Sequence, residues 1–328
     1  MSLLHGKKVL LFTTKFFGYE LDICNELIRQ GAEVKYYDER NNATSVEKIL
    51  IRKMHCLMNR RIYKFYKSIT DNEKSFQPDY ILFISPEALN KKSIIYMKNN
   101  FQKAKFILYM WDSMENINAK KVYKFFDKCF SFDSNDCQKY NLTFRPLFFI
   151  PSFEKELKTN EYEYDFSFIG SIHSDRAKIL NRLKKQFEKK QLSFYYYLYV
   201  PGKLMLFIRL LLDRNLRQLR QYVYLNSISK EKVSEITEKS NYIIDINHPK
   251  QIGLTMRTIE MLGSHKKILT TNDNIRKYDF YNTANQLIIS REDNNVNLSE
   301  MIEGFDTIND EIYNRYKLAT WIKELFMN

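Results

Sequence analysis

Glycine, proline, cysteine and tryptophan are scarce in this chain. Its 328 residues include 8 Gly, 6 Pro, 4 Cys and 2 Trp. So few Gly and Pro exclude collagen-like and linker compositions. The cysteines Cys24, Cys56, Cys129 and Cys137 form no Cys-x-x-Cys pair, which argues against a zinc site. A chain of this size needs no disulfides, and a reducing compartment is expected. Long apolar runs are also missing. The longest, Leu204 to Leu212, is broken by Arg209, and no segment reaches the roughly 18 apolar residues of a membrane span. The run Val9 to Phe12, behind Lys7 and Lys8, is too short for a signal peptide. These absences predict a cytoplasmic protein. Negative charge is in deficit: 39 acidic against 52 basic residues leave a net charge of +13. That balance attracts an anionic partner, whether nucleic acid, an anionic membrane surface or a phosphorylated substrate.

What is abundant points to packed cores. Hydrophobic residues make up 44% and charged residues 28%, which excludes wholesale disorder. Aromatics reach 15%, with 24 Phe and 23 Tyr, and must mostly fill interiors. The length favours two domains.

The pattern alternates strand and helix. Lys8 to Thr13 reads as a buried strand, Gly18 to Gln30 as a helix stopped by Gly31, and Glu33 to Asp38 as the next strand. This is a βαβ opening and predicts a parallel sheet. Further strands are expected at Pro78 to Ile84, Lys105 to Met110 and Lys128 to Phe132. Helices are expected over 45–68, 89–99 and 120–126. A polar stretch, Glu154 to Tyr164, separates this half from a second alternation. There, Asp165 to Ile169, Phe194 to Val200, Tyr242 to Ile246, Lys267 to Thr270 and Asn285 to Ile289 read as strands. Helices are expected over 175–189, 229–240, 255–262 and 310–327, and 203–221 reads as a basic, amphipathic segment. The predicted organisation is a domain over 1–150, a second over 151–309, and a terminal helix over 310–328 that crosses back to the first.

Two strand-to-helix junctions carry the chemistry. The first is Ile246-Asn-His-Pro-Lys-Gln-Ile-Gly-Leu-Thr-Met-Arg-Thr-Ile-Glu260. Strand C-termini and the helix N-termini above them bind ligands in α/β folds, and free N–H groups there favour an anion. Gly253 permits close approach of a phosphate to the backbone, and Glu260 suits ribose hydroxyls. In the plainer interpretation, Gly253 only makes a turn and Glu260 is a solvated surface residue. The second is Phe168-Ile-Gly-Ser-Ile-His-Ser-Asp-Arg176, where Gly170 and Ser171 form a turn and Arg176 offers a planar fork to a diphosphate. It is neither a Walker loop nor a dinucleotide fingerprint. A tight turn with a surface Arg would look the same.

Three sequence pieces together resemble bacterial glycosyltransferases of capsule and lipopolysaccharide biosynthesis, specifically proteins with the glycosyltransferase group 1 C-terminal domain. They are Asp165-Phe-Ser-Phe-Ile-Gly-Ser171, Gln251-Ile-Gly-Leu-Thr-Met-Arg-Thr-Ile-Glu260 and Lys266-Lys-Ile-Leu-Thr-Thr-Asn272. Tyr109-Met-Trp-Asp-Ser113 and Phe130 to Cys137 are also similar to that group. The resemblance spans roughly residues 80 to 290 and is strongest over 242–272. It implies a GT-B fold: two Rossmann-like, doubly wound α/β domains facing across a cleft. The first domain would take the acceptor, a surface glycan or lipid-linked glycan, and the second the nucleotide-sugar donor. Glu260 matches the ribose-holding glutamate. Gly253, Leu254 and Thr255 match the loop and helix start beside the diphosphate, and Gly170 and Ser171 the first turn of the donor domain. Arg176, His248, Gln251 and Arg257 complete the candidate donor set.

Retaining members often carry a second glutamate, which would fall at Ile252 and is absent. An Asp-x-Asp metal motif is also missing. The resemblance implies no metal and no cofactor, because in that fold helix termini and basic side chains stabilise the leaving diphosphate. An inverting transfer needs a base from the first domain. Asp112, directly after the strand Phe106 to Met110, is the candidate, and a helix-capping Asp is the rival reading. Asp133 reads as a cap, and His173 and His248 as loop residues. Basic segments at Lys48 to Lys67 and Lys203 to Arg220 make an anionic membrane surface a candidate partner. A non-catalytic sugar-binding protein of the same fold is the main alternative. Nucleic acid is not an expected partner, since no reader motif is present.

Overall fold

The computed structural model describes residues 3–40, 55–115, 117–155, 162–293 and 305–327. The chain divides into two compact units, Met1–Leu147 with Leu318–Asn328, and Phe148–Lys317.

The first unit contains β1 (Lys8–Thr13), α1 (Tyr19–Arg29), β2 (Glu33–Asp38), α2 (His55–Asn72), β3 (Tyr80–Ile84), α3 (Lys91–Asn100), β4 (Lys105–Met110), β5 (Lys128–Ser131), α4 (Ser134–Tyr140) and β6 (Thr143–Phe144). They build a six-stranded sheet in the order β2-β1-β3-β4-β5-β6. Every pairing is parallel. A parallel sheet is covered on both faces, so its central strands are apolar throughout rather than alternating. Val9 to Phe12 and Ile81 to Ile84 are accordingly buried in full. Successive residues face opposite sides. Leu10, Phe12, Phe83 and Leu108 enter one core with Tyr66 of α2 and Ile94 and Met97 of α3. The Phe12 and Phe83 rings stack at 4.6 Å.

On the opposite face Tyr109 meets Trp321 of the terminal helix, Leu318–Met327, edge-on at 4.6 Å. Arg145, only 3% exposed, pairs with Glu324 of that helix at 2.6 Å. Gln30 Nε2 donates to the Ala319 carbonyl at 3.0 Å. The last ten or so residues therefore belong to the first unit, although the chain before them, to Lys317, belongs to the second.

The second unit contains β7 (Tyr164–Ser171), α5 (Arg176–Lys189), β8 (Phe194–Tyr199), α6 (Lys203–Leu212), α7 (Arg214–Gln218), β9 (Val223–Tyr224), α8 (Lys230–Glu238), β10 (Ser240–Asp245), α9 (Met256–Gly263), β11 (Lys267–Thr270), β12 (Gln286–Ile288) and α10 (Asp310–Arg315). Its sheet is also six-stranded, in the order β12-β11-β10-β7-β8-β9, and wholly parallel. The strand order reverses between β7 and β10. Phe166, Phe168, Leu198 and Ile244 fill the core with Leu180, Leu183 and Phe187 of α5.

Several elements differ from the sequence expectation. The helix expected over 45–68 is described from His55 and continues to Asn72, while 45–54, including Lys48, Arg52 and Lys53, lies outside the described residues. Residues 120–126 form two short 3-10 turns, Asn118–Lys121 and Tyr123–Phe125. The segment 203–221 breaks at Asp213, whose backbone is extended and whose carboxylate caps α7 by accepting from the Asn215 N–H at 2.8 Å and the Leu216 N–H at 3.2 Å. The segment 310–327 breaks at Tyr316, whose carbonyl accepts from the Phe149 N–H at 2.8 Å where the two segments joining the units run side by side.

That crossing leaves no room beside Gly263. A Cβ there would sit 2.6 Å from the Phe149 ring. Gly263→Ala should therefore destabilise the fold by about 1–3 kcal/mol through overpacking. Urea unfolding would read this as a lower midpoint; an unchanged midpoint would mean that Phe149 moves aside freely.

A buried carboxylate makes stability pH-dependent. Glu39, just past β2, is 5% exposed and accepts from Tyr66 Oη and, at 3.0 Å, from the Glu87 N–H. Burial pushes its pKa up to about 7, with the two hydrogen bonds pulling only part of the way back. The folded pKa thus lies above the unfolded one. Its contribution is complete below the unfolded carboxylate range and is lost as pH rises through 7. Glu39→Gln should flatten the fall in melting temperature between about pH 5 and 8. Parallel curves for the two proteins would show that Glu39 does not titrate in that range.

Candidate functional site

In an open parallel sheet, ligands bind beyond the strand C-termini, at the point where the strand order reverses. In the second unit this point lies between β7 and β10, which pair directly. The candidate donor residues gather around it.

The end of β10 anchors the start of α9. Asp245, 3% exposed, accepts from Thr255 Oγ1 at 3.0 Å and Thr258 Oγ1 at 2.9 Å. Thr255 in turn caps α9 by accepting from the Thr258 N–H at 3.2 Å. The connecting loop is pinned from within and from β11. Asn247 Nδ2 donates to the Gln251 carbonyl at 2.8 Å, and Gln251 Nε2 to the Gly253 carbonyl at 3.1 Å. Asn272 Nδ2 donates to the Ile252 and Gly253 carbonyls at 3.1 and 3.3 Å. Among the described residues, the N–H groups of Gly253, Leu254 and Thr255 have no protein acceptor. A rigid loop thus presents free donors at a helix N-terminus, where the dipole favours an anion.

Two arginines flank the same place. The Arg176 and Arg257 guanidinium carbons lie 5.7 and 5.8 Å from the Phe168 ring centroid. Arg176 Nε donates to the Ile246 carbonyl at 2.8 Å and Nη1 to the Ser171 carbonyl at 2.9 Å. Its fork is therefore largely spent on holding the ends of β7 and β10 together, and burial lowers its pKa to about 10. Arg257 has no hydrogen-bond or ion-pair partner among the described residues, and burial lowers its pKa too. Its donors are free among the described residues.

Glu260 lies one turn further along α9. It is partly buried and has no polar partner among the described residues. Burial pushes its pKa up to about 8. A solvated surface carboxylate would show neither feature.

Gly170 and Ser171 are not a turn, as the sequence suggested. They are the last two residues of β7, and the chain turns at Ser174, with φ 52. The lack of a side chain at Gly170 still matters, because a Cβ would lie 3.1 Å from the Phe168 ring and 3.6 Å from Arg176 Nη1. His173 and His248 stand with ring centroids 6.1 Å apart. Burial, together with the neighbouring Arg176, His248 and Arg209, holds the His173 pKa at about 4, so it is neutral at pH 7. His248 is exposed, and its Nδ1 accepts from the Lys250 N–H at 3.2 Å. Leu254 is buried and anchors the loop.

Sequence reasoning missed two residues that hold this site in shape. One is Asp245, whose signal was a carboxylate inside an otherwise apolar strand. The other is Arg291, just past β12. Its Nη1 donates to both oxygens of Asp175 at 2.9 and 2.8 Å, and its Nη2 to the Asn247 carbonyl at 2.7 Å and Thr271 Oγ1 at 3.1 Å. One guanidinium thereby ties together the loops after β7, β10 and β11, a role a point-charge Lys cannot fill.

Asp112 belongs to the first unit, two residues past β4 at the carboxyl edge of that sheet. It caps none of the described helices; its Oδ1 accepts from the Ser113 N–H at 2.8 Å. Asp133 does cap α4, accepting from the Asn135 and Asp136 N–H groups. Among the described residues no cluster of three or more His, Cys, Asp or Glu is placed to hold a metal, and no helix is long and apolar enough to cross a membrane.

No family model matches the sequence, and no curated protein matches it. Solved structures do match over nearly the whole chain. The lipopolysaccharide outer core galactosyltransferase WaaB in its apo form aligns with TM-score 0.56 at 12% identity, covering 96% of this chain and 97% of the other. Anabaena HepE in complex with UDP and glucose aligns with TM-score 0.61 at 9% identity, covering 97% and 98%. A Listeria monocytogenes protein assigned as a UDP-N-acetylglucosamine 2-epimerase aligns with TM-score 0.54 at 11% identity, covering 97% and 94%. The two parallel doubly wound units form the GT-B fold of glycosyltransferases, as the sequence resemblance implied. At these identities the likeness establishes the fold and leaves the chemistry to the site.

Proposed function

We propose that the protein is a glycosyltransferase that moves a sugar from a nucleotide-sugar donor to a hydroxyl of a surface polysaccharide or lipid-linked glycan. The observation that carries this reading is the set of unspent groups at the reversal point of the second sheet. There the N–H groups of Gly253 to Thr255, the Arg257 guanidinium and the Glu260 carboxylate all lack hydrogen-bond and ion-pair partners among the described residues. Their chemistry fits a nucleoside diphosphate. The N–H groups and Arg257 take the phosphates, and Glu260 takes a pair of ribose hydroxyls. Arg176, Arg291 and Asp245 are positioning residues, and Gly170, Ser171, His248 and Gln251 line the approach. The WaaB and HepE likenesses support this class of donor.

In the reaction, a base takes the proton of the acceptor hydroxyl, and its oxygen bonds to the anomeric carbon. The bond from that carbon to the diphosphate oxygen breaks, and the nucleoside diphosphate leaves. Asp112 is the proposed base of an inverting transfer. The charge on the leaving diphosphate is stabilised by Arg257 and the α9 N-terminus, with no metal or cofactor assigned a step. An acceptor carried by lipid places the enzyme at the inner face of the cell membrane.

A thermal-shift series with UDP-, GDP-, ADP-, dTDP- and CMP-sugars tests the donor site. Ligand bound only by the folded state raises the melting temperature. A rise with one nucleotide supports the reading and names the donor class. No rise with any of them, in well-folded protein, favours a non-catalytic protein of the same fold. Epimerised donor sugar in the absence of acceptor would point to the chemistry assigned to the Listeria protein instead.

A further inference from the structure

The helix α6 is the anomaly of the second unit. Its ten residues, Lys-Leu-Met-Leu-Phe-Ile-Arg-Leu-Leu-Leu, include eight large apolar side chains, yet none is fully buried. Leu206 and Leu210 lean on the core. The other six point outward: Leu204 is 73% exposed, Phe207 61%, Leu211 63% and Leu212 82%, with Met205 and Ile208 at 44% each. At about 100° per residue these six share one side of the helix, with Lys203 and Arg209 at its two borders. Solvent-exposed apolar patches of this density mark an interaction surface.

The charge around the patch selects the partner. From 201 to 229 the chain carries Lys203, Arg209, Arg214, Arg217 and Arg220 against a single acid, Asp213. That acid is occupied in capping α7. A second copy of this chain would bring identical Arg borders together, and its net charge of +13 would oppose the contact. An apolar face with cationic borders fits a layer that is apolar below and anionic above.

We propose that α6 docks the protein onto an anionic lipid bilayer, with its six exposed apolar side chains in the acyl boundary and Lys203, Arg214 and Arg220, on and just after the helix, at the headgroups. The helix is also tied to the candidate donor site. It leaves the C-terminal end of β8, and Arg209 Nη1 donates to the Ile172 carbonyl, next to His173. Docking through α6 therefore holds the donor loops beside the lipid surface. This second consequence rests on the glycosyl-transfer reading and names a lipid-borne acceptor for it; docking itself does not depend on that reading.

Flotation of the full chain with phosphatidylcholine vesicles, with and without phosphatidylglycerol, tests this. The protein should float only with the anionic vesicles, and less as salt rises. Phe207→Ser/Leu211→Ser should weaken binding about tenfold or more. Arg214→Gln/Arg220→Gln should weaken it chiefly at low salt. All these side chains are exposed, so the melting temperature and its response to nucleotide sugars should match the parent. Three results would overturn the proposal: no flotation at low salt, flotation indifferent to Phe207→Ser/Leu211→Ser, or a solution dimer that this variant dissolves without any flotation. Vesicle binding without a nucleotide-sugar response would refute the transferase reading and leave docking standing.

Discussion

Asp112→Asn should slow sugar transfer by a factor of about 10²–10⁴ while leaving nucleotide-sugar binding unchanged, the signature of a lost general base. Asn keeps the size of the side chain and an oxygen able to accept from the Ser113 N–H, the bond that Asp112 Oδ1 makes at 2.8 Å. The loop after β4 should therefore hold its shape. What Asn cannot do is take a proton from the acceptor. The residue lies in the first unit, while every candidate donor residue lies in the second. The substitution should accordingly leave the donor-induced rise in melting temperature intact. Turnover at the parent rate would remove Asp112 from the mechanism. A lost thermal response would show that the change had disturbed the fold instead.

Above pH 8, where Glu260 is ionised, Glu260→Gln should weaken nucleotide-sugar binding about 10- to 100-fold, the usual worth of a hydrogen bond to a charged group. The same change should leave the empty protein more stable at alkaline pH. In the parent, burial lifts the Glu260 pKa to about 8, above its unfolded value. Its contribution is full below the unfolded carboxylate range and is lost as pH rises through 8. Glutamine has no charge to desolvate, so the decline at high pH should shrink. Stability gained without ligand and affinity lost with it would mark a side chain held ready for a ligand rather than for the fold. Calorimetric titration with the donor found in the thermal-shift series, beside melting curves from pH 5 to 9, reads both. A parallel loss of affinity and stability would make Glu260 structural. Unchanged affinity would remove it from the site.

Local pattern made much of the scaffold legible. Val9 to Phe12, Ile81 to Ile84 and Phe106 to Met110 are apolar runs bounded by turns, and each is a strand of a parallel sheet. Thr255 before an apolar helical stretch marks the start of α9, and its hydroxyl does cap that helix. Elements that depend on distant partners were not legible. The two-residue strands β6 and β9 exist only because β5 and β8 offer them a free edge. Short, polar α4 has too few apolar positions to show a period and is fixed by the Asp133 cap. The break at Tyr316 depends on Phe149, far away in sequence.

The sequence by itself determined the fold class, the two strand-to-helix junctions and the surplus of positive charge, because those follow from residue type and short-range spacing. Only the tertiary structure decided which polar groups were already spent. Arg176 and Arg257 look equivalent in the sequence, yet one holds two carbonyls and the other has no hydrogen-bond or ion-pair partner among the described residues. Asp245 acts through hydroxyls 10 and 13 residues further on, and Arg291 through a carboxylate 116 residues away. The segment 203–212 could equally have turned its leucines inward; the core of the second unit takes only Leu206 and Leu210 and leaves the rest in water. Hydrogen-bond satisfaction and burial are properties of three-dimensional neighbourhoods, and a period along the chain does not carry them.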